Sequence, residues 1–169
     1  MKVLYIGTGP NWQEQKKQLL TGNPDGEYVG IDILPSFQPD IVRDVLRGLP
    51  FDSDSFDSII IEHVLEHISG ALACEPNDNY SFVMNEIHRV LKPGGIATIE
   101  VPYWRDDCAV ESAGHIRLFA ENSFINFYAN PYWQEMGLCC FSECLFLKVY
   151  ETGRSGNLPA RAVRVQLKK

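Results

Sequence analysis

The chain has 169 residues, 45% hydrophobic and 22% charged, with a formal net charge of −7. This length and mix suit one domain, residues 1–169, around a sizeable core, and the acidic balance argues against a nucleic-acid partner bound through its phosphates. No apolar run approaches the roughly 18 residues that cross a bilayer, and the run Val3-Leu4-Tyr5-Ile6 is too short for a signal-peptide core, so a cytoplasmic, membrane-free protein is expected.

Val3-Leu4-Tyr5-Ile6 reads as a buried strand that stops at Gly7-Thr8-Gly9. Trp12 to Leu20 has helical character. Strand, glycine turn and helix start together bring backbone N–H groups close to a ligand. A dinucleotide fingerprint would want G-x-G-x-x-G, and no third glycine follows here. The turn residues Gly22 to Gly26 precede a second strand, Glu27 to Asp32. Asp32 lies 25 residues after Gly7, near the spacing at which an acid accepts from ribose hydroxyls; a helix cap or turn role is the plainer alternative.

Pro35 and Pro39 argue against a full helix in the next connection. Ile41 to Val45 reads as a brief edge strand bearing Asp44. The β-branched run Ile59-Ile60-Ile61 marks a central buried strand from Ser58 to Glu62, with His63 to Ile68 at its carboxyl end. Phe82, Val83, Ile87, Val90 and Leu91 carry helical spacing. Asp78 or Asn79 caps that helix, and Lys92-Pro93-Gly94-Gly95 stops it. A fifth strand runs Ile96 to Val101. Tyr103 to Ala120 reads as a long functional loop, Glu121 to Met136 as a helix broken at Pro131, and Cys139 to Tyr150 with Ala162 to Leu167 as an antiparallel hairpin.

Alternating strands and helices imply a Rossmann-like parallel sheet, helices on both faces, with an antiparallel C-terminal strand. Ligands bind such sheets beyond the carboxyl ends of the strands. Gly7, Gly9, Asp32, Asp44, Glu62 and His63 converge there, which points to a nucleoside-containing ligand.

With these motifs in order, the chain resembles a class I S-adenosylmethionine-dependent methyltransferase. The resemblance rests on the Val3-to-Gly9 loop, Val29 to Asp32, Leu49-Pro50-Phe51 with Ser55-Phe56-Asp57, His63-Val64-Leu65-Glu66-His67, and Glu86 to Gly95. It implies S-adenosylmethionine as cofactor and S-adenosylhomocysteine as product. It also implies that Ile6, Gly7, Thr8 and Gly9 approach the methionine part, that Asp32 with Ile33 holds the ribose, and that Asp44 with Val45 lies beside the adenine. Glu62 and His63 would line the transfer site. The chain departs from the family pattern at Tyr5, where an acid is usual, and at Asn11, where glycine is usual. These departures imply an open site, or one completed by a second copy or a partner subunit.

The expected reaction is methyl transfer to an oxygen or nitrogen of a small-molecule or sugar-type acceptor. The alternative is a non-catalytic nucleoside- or partner-binding domain of the same fold. Histidine suits the base such a nucleophile needs; His63 ranks first, His115 second, with His67 and His88 read as structural. Tyr103 and Trp104 follow a strand end and could wall the substrate. His63-Val64-Leu65-Glu66-His67 also matches H-x-x-E-H, a zinc-peptidase pattern. It follows a buried strand directly and shows no third ligand, so no metal is assigned. Five cysteines without a C-x-x-C pair argue against a disulfide framework; Cys139, Cys140 and Cys144 read as core.

Overall fold

Strand pairing follows the apolar runs. A computed structural model of the protein describes residues 1–70, 78–135, 137–155 and 158–169. Strands β1 (Lys2–Ile6), β2 (Glu27–Asp32), β3 (Ile41–Val42), β4 (Phe56–Glu62), β5 (Leu91–Pro102), β6 (Glu143–Ser155) and β7 (Leu158–Lys168) form one sheet in the order β3-β2-β1-β4-β5-β7-β6. The first five are parallel, and β7 is antiparallel to both β5 and β6. The carboxyl ends of β1, β2 and β4 therefore lie together, with Ile6 opposite both Ile31 and Ile61.

Alternation along the strands divides the core. On one face Leu4, Ile6, Ile59, Ile61, Ile99 and Val165 are buried with Val83, Met84, Ile87 and Val90 of α2 (Asn79–Val90). Each such side chain contributes about 1.5–3 kcal/mol on burial. The opposite face holds a smaller cluster, Val3, Tyr28 and Trp12, under α1 (Trp12–Gly22). Trp12 is the only buried residue of that helix. It sits where Gly30 leaves room: a Cβ there would lie 2.3 Å from the indole.

Asp78 caps α2 as expected, accepting from Ser81 N at 2.6 Å. The expected short link between β2 and β3 is a single 3-10 turn, Pro35–Phe37. The motifs Leu49-Pro50-Phe51 and Glu86 to Arg89 meet as a clamp. Arg89 donates to the carbonyls of Phe51 (2.8 Å) and Leu49 (3.0 Å), and Glu86 accepts from Leu49 N at 2.8 Å.

The C-terminal third departs from the sequence reading. Among the described residues of the expected Glu121-to-Met136 helix there is a 3-10 turn, Ile125–Phe127, and a short α3 (Pro131–Glu135); Met136 lies outside the described residues. Pro131 begins a helix rather than breaking one, since proline is tolerated at a first position. Strand β6 starts at Glu143, not Cys139. The preceding amides are taken elsewhere: Cys139 N donates to Asn85 Oδ1 (2.7 Å) and Phe141 N to Phe127 O (2.8 Å). Cys74 also lies outside the described residues. The other four cysteines are in no disulfide, and burial pushes the Cys139 thiol up to about 12.

Candidate functional site

A cavity of about 500 Å³ opens beyond the carboxyl ends of β1, β2 and β4. Ile6, Gly7, Gly9, Asp32, Ile33, Asp44, Val45, Glu62 and His63, all singled out from sequence, line it. Thr8 is not part of this wall; its methyl lies against Gly30. Gly7 needs its missing side chain, because its φ is +78° and a Cβ would meet Val64 Cγ2 at 2.1 Å. Its N–H donates to Ile31 O at 2.9 Å, which ties the loop to β2.

Asp32 accepts from Gly9 N (3.1 Å, Oδ2) and from Leu34 N (2.9 Å, Oδ1). The turn role is thus compatible with a ligand role: each oxygen makes one backbone bond and has a further lone pair that could accept from a hydroxyl. Asp44 caps the turn Val45–Arg47 through Leu46 N at 2.9 Å. Sequence reading missed Asp40, whose carboxylate accepts from Trp12 Nε1 (3.0 Å), Gly30 N (2.8 Å) and Lys16 Nζ (2.7 Å). It binds α1 to β2 behind the glycine loop.

The far end of the cavity is polar. His63 has φ +56°, a left-handed conformation unusual for a side-chain-bearing residue. Its N–H donates to Glu100 O at 3.0 Å. Its Nε2 lies 3.6 Å from Glu100 Oε1 and its Nδ1 3.4 Å from Glu66 Oε1. The carboxylate of Glu100, then that of Glu66, raises the His63 pKa to about 10. His63 is therefore protonated at neutral pH and acts as a donor, not as the free base that sequence reading ranked first. Burial alone would favour protonated Glu100, but His63, Tyr150 and Arg164 donate to it and hold its carboxyl at about 2.

His67, read from sequence as structural, is part of the cavity wall. The carbonyl of Gly114 lies 2.9 Å from its Nδ1. A carbonyl only accepts, so Nδ1 donates to it, and in the neutral ring the lone pair is on Nε2. His115 does not line the cavity but packs edge-on against His67, ring centroids 4.8 Å apart. Tyr103 is 4% exposed and donates to Glu121 at 2.9 Å, and the exposed Trp104 lies under Arg105. Neither lines the cavity.

A family model described as a methyltransferase domain matches residues 4–99, more than half of the chain. The chain belongs to this family. It is a class I methyltransferase enzyme, and its donor is S-adenosylmethionine. A comparison with curated proteins finds no match. Solved structures share the fold at low identity. A methyltransferase from Methanosarcina mazei is 17% identical with TM-score 0.64, covering 99% of this chain and 92% of its own. The N-methyltransferase NodS from Bradyrhizobium japonicum, solved with S-adenosyl-L-homocysteine, is 15% identical with TM-score 0.65, covering 99% and 77%. A chain of the complex between the Haloferax volcanii Trm112 methyltransferase activator and a methyltransferase is 17% identical with TM-score 0.63, covering 99% and 81%.

The residues present fit the donor. Asp32 offers two lone pairs to a diol, Gly7 allows close backbone approach, and Ile33, Phe37 and Leu46 give the Asp44 end apolar surface suited to a purine.

Proposed function

We propose that this methyltransferase acts on an oxygen or nitrogen of a small-molecule or sugar-type acceptor. The observation that carries the reading is one cavity running from Asp32 and Asp44 to His63 and His67. The donor brings an electrophilic methyl, so the protein's task is alignment. The Gly7–Gly9 loop and Asp32 orient the donor. At the other end His67 Nε2 can accept a proton from a hydroxyl or amine, and the His63 ring, held between Glu66 and Glu100, gives that end a polar wall. The net charge of −7 disfavours a nucleic-acid acceptor.

The test is release of S-adenosylhomocysteine across a panel of sugars, phenols, amines, a peptide and an RNA. Turnover with a small hydroxyl or amine acceptor is expected; turnover with peptide or RNA alone would overturn the reading. In calorimetry Asp32→Asn should weaken donor binding by about tenfold, the equivalent of ~1.4 kcal/mol.

A partner subunit over the cavity mouth has its own support. Ile33 is 60% exposed beside exposed Leu34 and Val42, and one similar chain comes from a complex with an activator. Light scattering checks this: a monomer that binds the donor tightly alone and turns over at full rate would count against it.

A further inference from the structure

Glu66 is the most deeply buried carboxylate among the described residues, at 1% exposure. Neither of its oxygens accepts a hydrogen bond. A buried carboxylate without donors is costly, by several kcal/mol, unless a cation neutralises it. His63 Nδ1 stands 3.4 Å away, but that ring is shared with Glu100. Two further imidazoles face Glu66. His115 Nε2 lies 4.0 Å from Glu66 Oε1, and His115 Nδ1 is buried without a hydrogen-bond partner. One ligand atom each from Glu66, His67 and His115 lie within 4.8 Å of one another.

The surrounding backbone presents these groups together. The amides of Ile116 (2.9 Å) and Arg117 (3.2 Å) both donate to Glu66 O, strapping the His115 loop onto the Leu65–His67 turn. The Gly114 carbonyl fixes the His67 proton on Nδ1 and leaves Nε2 as a ligand. A backbone carbonyl on the non-ligating nitrogen is the usual support of a metal-bound histidine. The H-x-x-E-H pattern thus contains two ligands, but not the pair its spacing suggests. His63 instead lies between Glu66 and Glu100, and the third candidate ligand comes from His115, 48 residues after His67.

We propose that Glu66, His67 and His115 bind one divalent transition-metal ion of the zinc class. Two imidazoles and one carboxylate suit such an ion better than magnesium or calcium, which prefer all-oxygen sites. Three protein ligands leave a coordination position for another molecule. Since His67 also walls the cavity, that position borders the acceptor end. If the methyl-transfer reading above holds, the ion would occupy His67 Nε2 and take over its task, binding the acceptor hydroxyl as a Lewis acid and lowering its pKa, in place of direct proton transfer to His67. The acceptor class then narrows to hydroxyl compounds.

The binding test does not depend on turnover. Protein stripped with a chelator is titrated with Zn²⁺, with Co²⁺ as a spectroscopic probe and with Mg²⁺. One Zn²⁺ per chain is expected, with a Co²⁺ visible spectrum. His115→Ala and His67→Ala should each weaken Zn²⁺ at least 100-fold, while His88→Ala, whose ring bonds Cys140 O, should bind as wild type. Thermal melts and donor calorimetry on each variant show that it is folded. No Zn²⁺ binding, equal loss in His88→Ala, or a preference for Mg²⁺ would overturn the site. Failure of Zn²⁺ with donor binding intact removes the metal and leaves methyl transfer; Zn²⁺ binding without donor binding does the reverse.

Discussion

At the scale of single residues, conformation and charge make different demands. Gly7 combines a left-handed backbone with a void already filled by Val64. In Gly7→Ala the added Cβ costs about 1–2 kcal/mol in backbone strain and pushes Val64 toward the cavity. The variant should melt several degrees lower and bind donor at least tenfold more weakly; calorimetry showing wild-type affinity would dismiss the close-approach role. Glu100 makes the opposite kind of demand. Its carboxyl is held at about 2 against an ordinary value of 4.5, so the folded state favours the ionised form. That stability is fully present above about pH 4.5 and is lost as pH falls toward 2. Glu100→Gln should therefore cost on the order of 2 kcal/mol at pH 7, with the gap to wild type closing between pH 4.5 and 2. Urea midpoints across that range check it, and a pH-independent gap would mean that packing, not charge, is what Glu100 supplies.

At the scale of elements, Asp40 is the joint between α1 and β2. Asp40→Ala strands the buried Gly30 amide and the Trp12 indole N–H, each costing about 1–3 kcal/mol when unpaired. The expected result is a fall of about 2–4 kcal/mol in unfolding free energy with loss of the near-ultraviolet Trp12 signal. A change within about 0.5 kcal/mol would mean water replaces the carboxylate. Asp40 was invisible in the sequence because it sits in a proline-rich link with no period. By contrast β1, β2 and β4 were legible, since strands buried on both faces read as apolar runs. So was α2, which carries both a cap and a stop. The same apolar signal misled at Cys139 to Phe141, where the residues are buried but their amides serve α2 and the Ile125–Phe127 turn. Strand-end residues of the site followed from topology alone. Val64, His67 and the Glu66–His115 pairing did not, because they depend on a 3-10 turn and a loop whose contacts carry no periodicity.

At the scale of the whole molecule, the sheet separates two tasks. Loops after β1, β2 and β3 line the cavity, while the segment after β5 carries His115 and meets the Leu65–His67 turn through the Glu66 carbonyl, the Gly114–His67 bond and the His115 ring. Hydrogen exchange can see this division, because protection follows local opening. The slowest amides should lie in β1, β4 and the inner half of β5, where the buried core is densest, and the fastest among strands in the two-residue β3 and in β6, which are the sheet edges. Adding S-adenosylhomocysteine should protect the segments 6–9, 31–34 and 43–46 and leave 114–117 unchanged, since His115 is not part of the cavity wall. Adding Zn²⁺ alone should do the opposite, slowing exchange at 65–67 and 114–117. If the nucleoside product protected both groups equally, donor binding would itself close the His115 loop, and the molecule would behave as one cooperative lid rather than as two sites sharing His67.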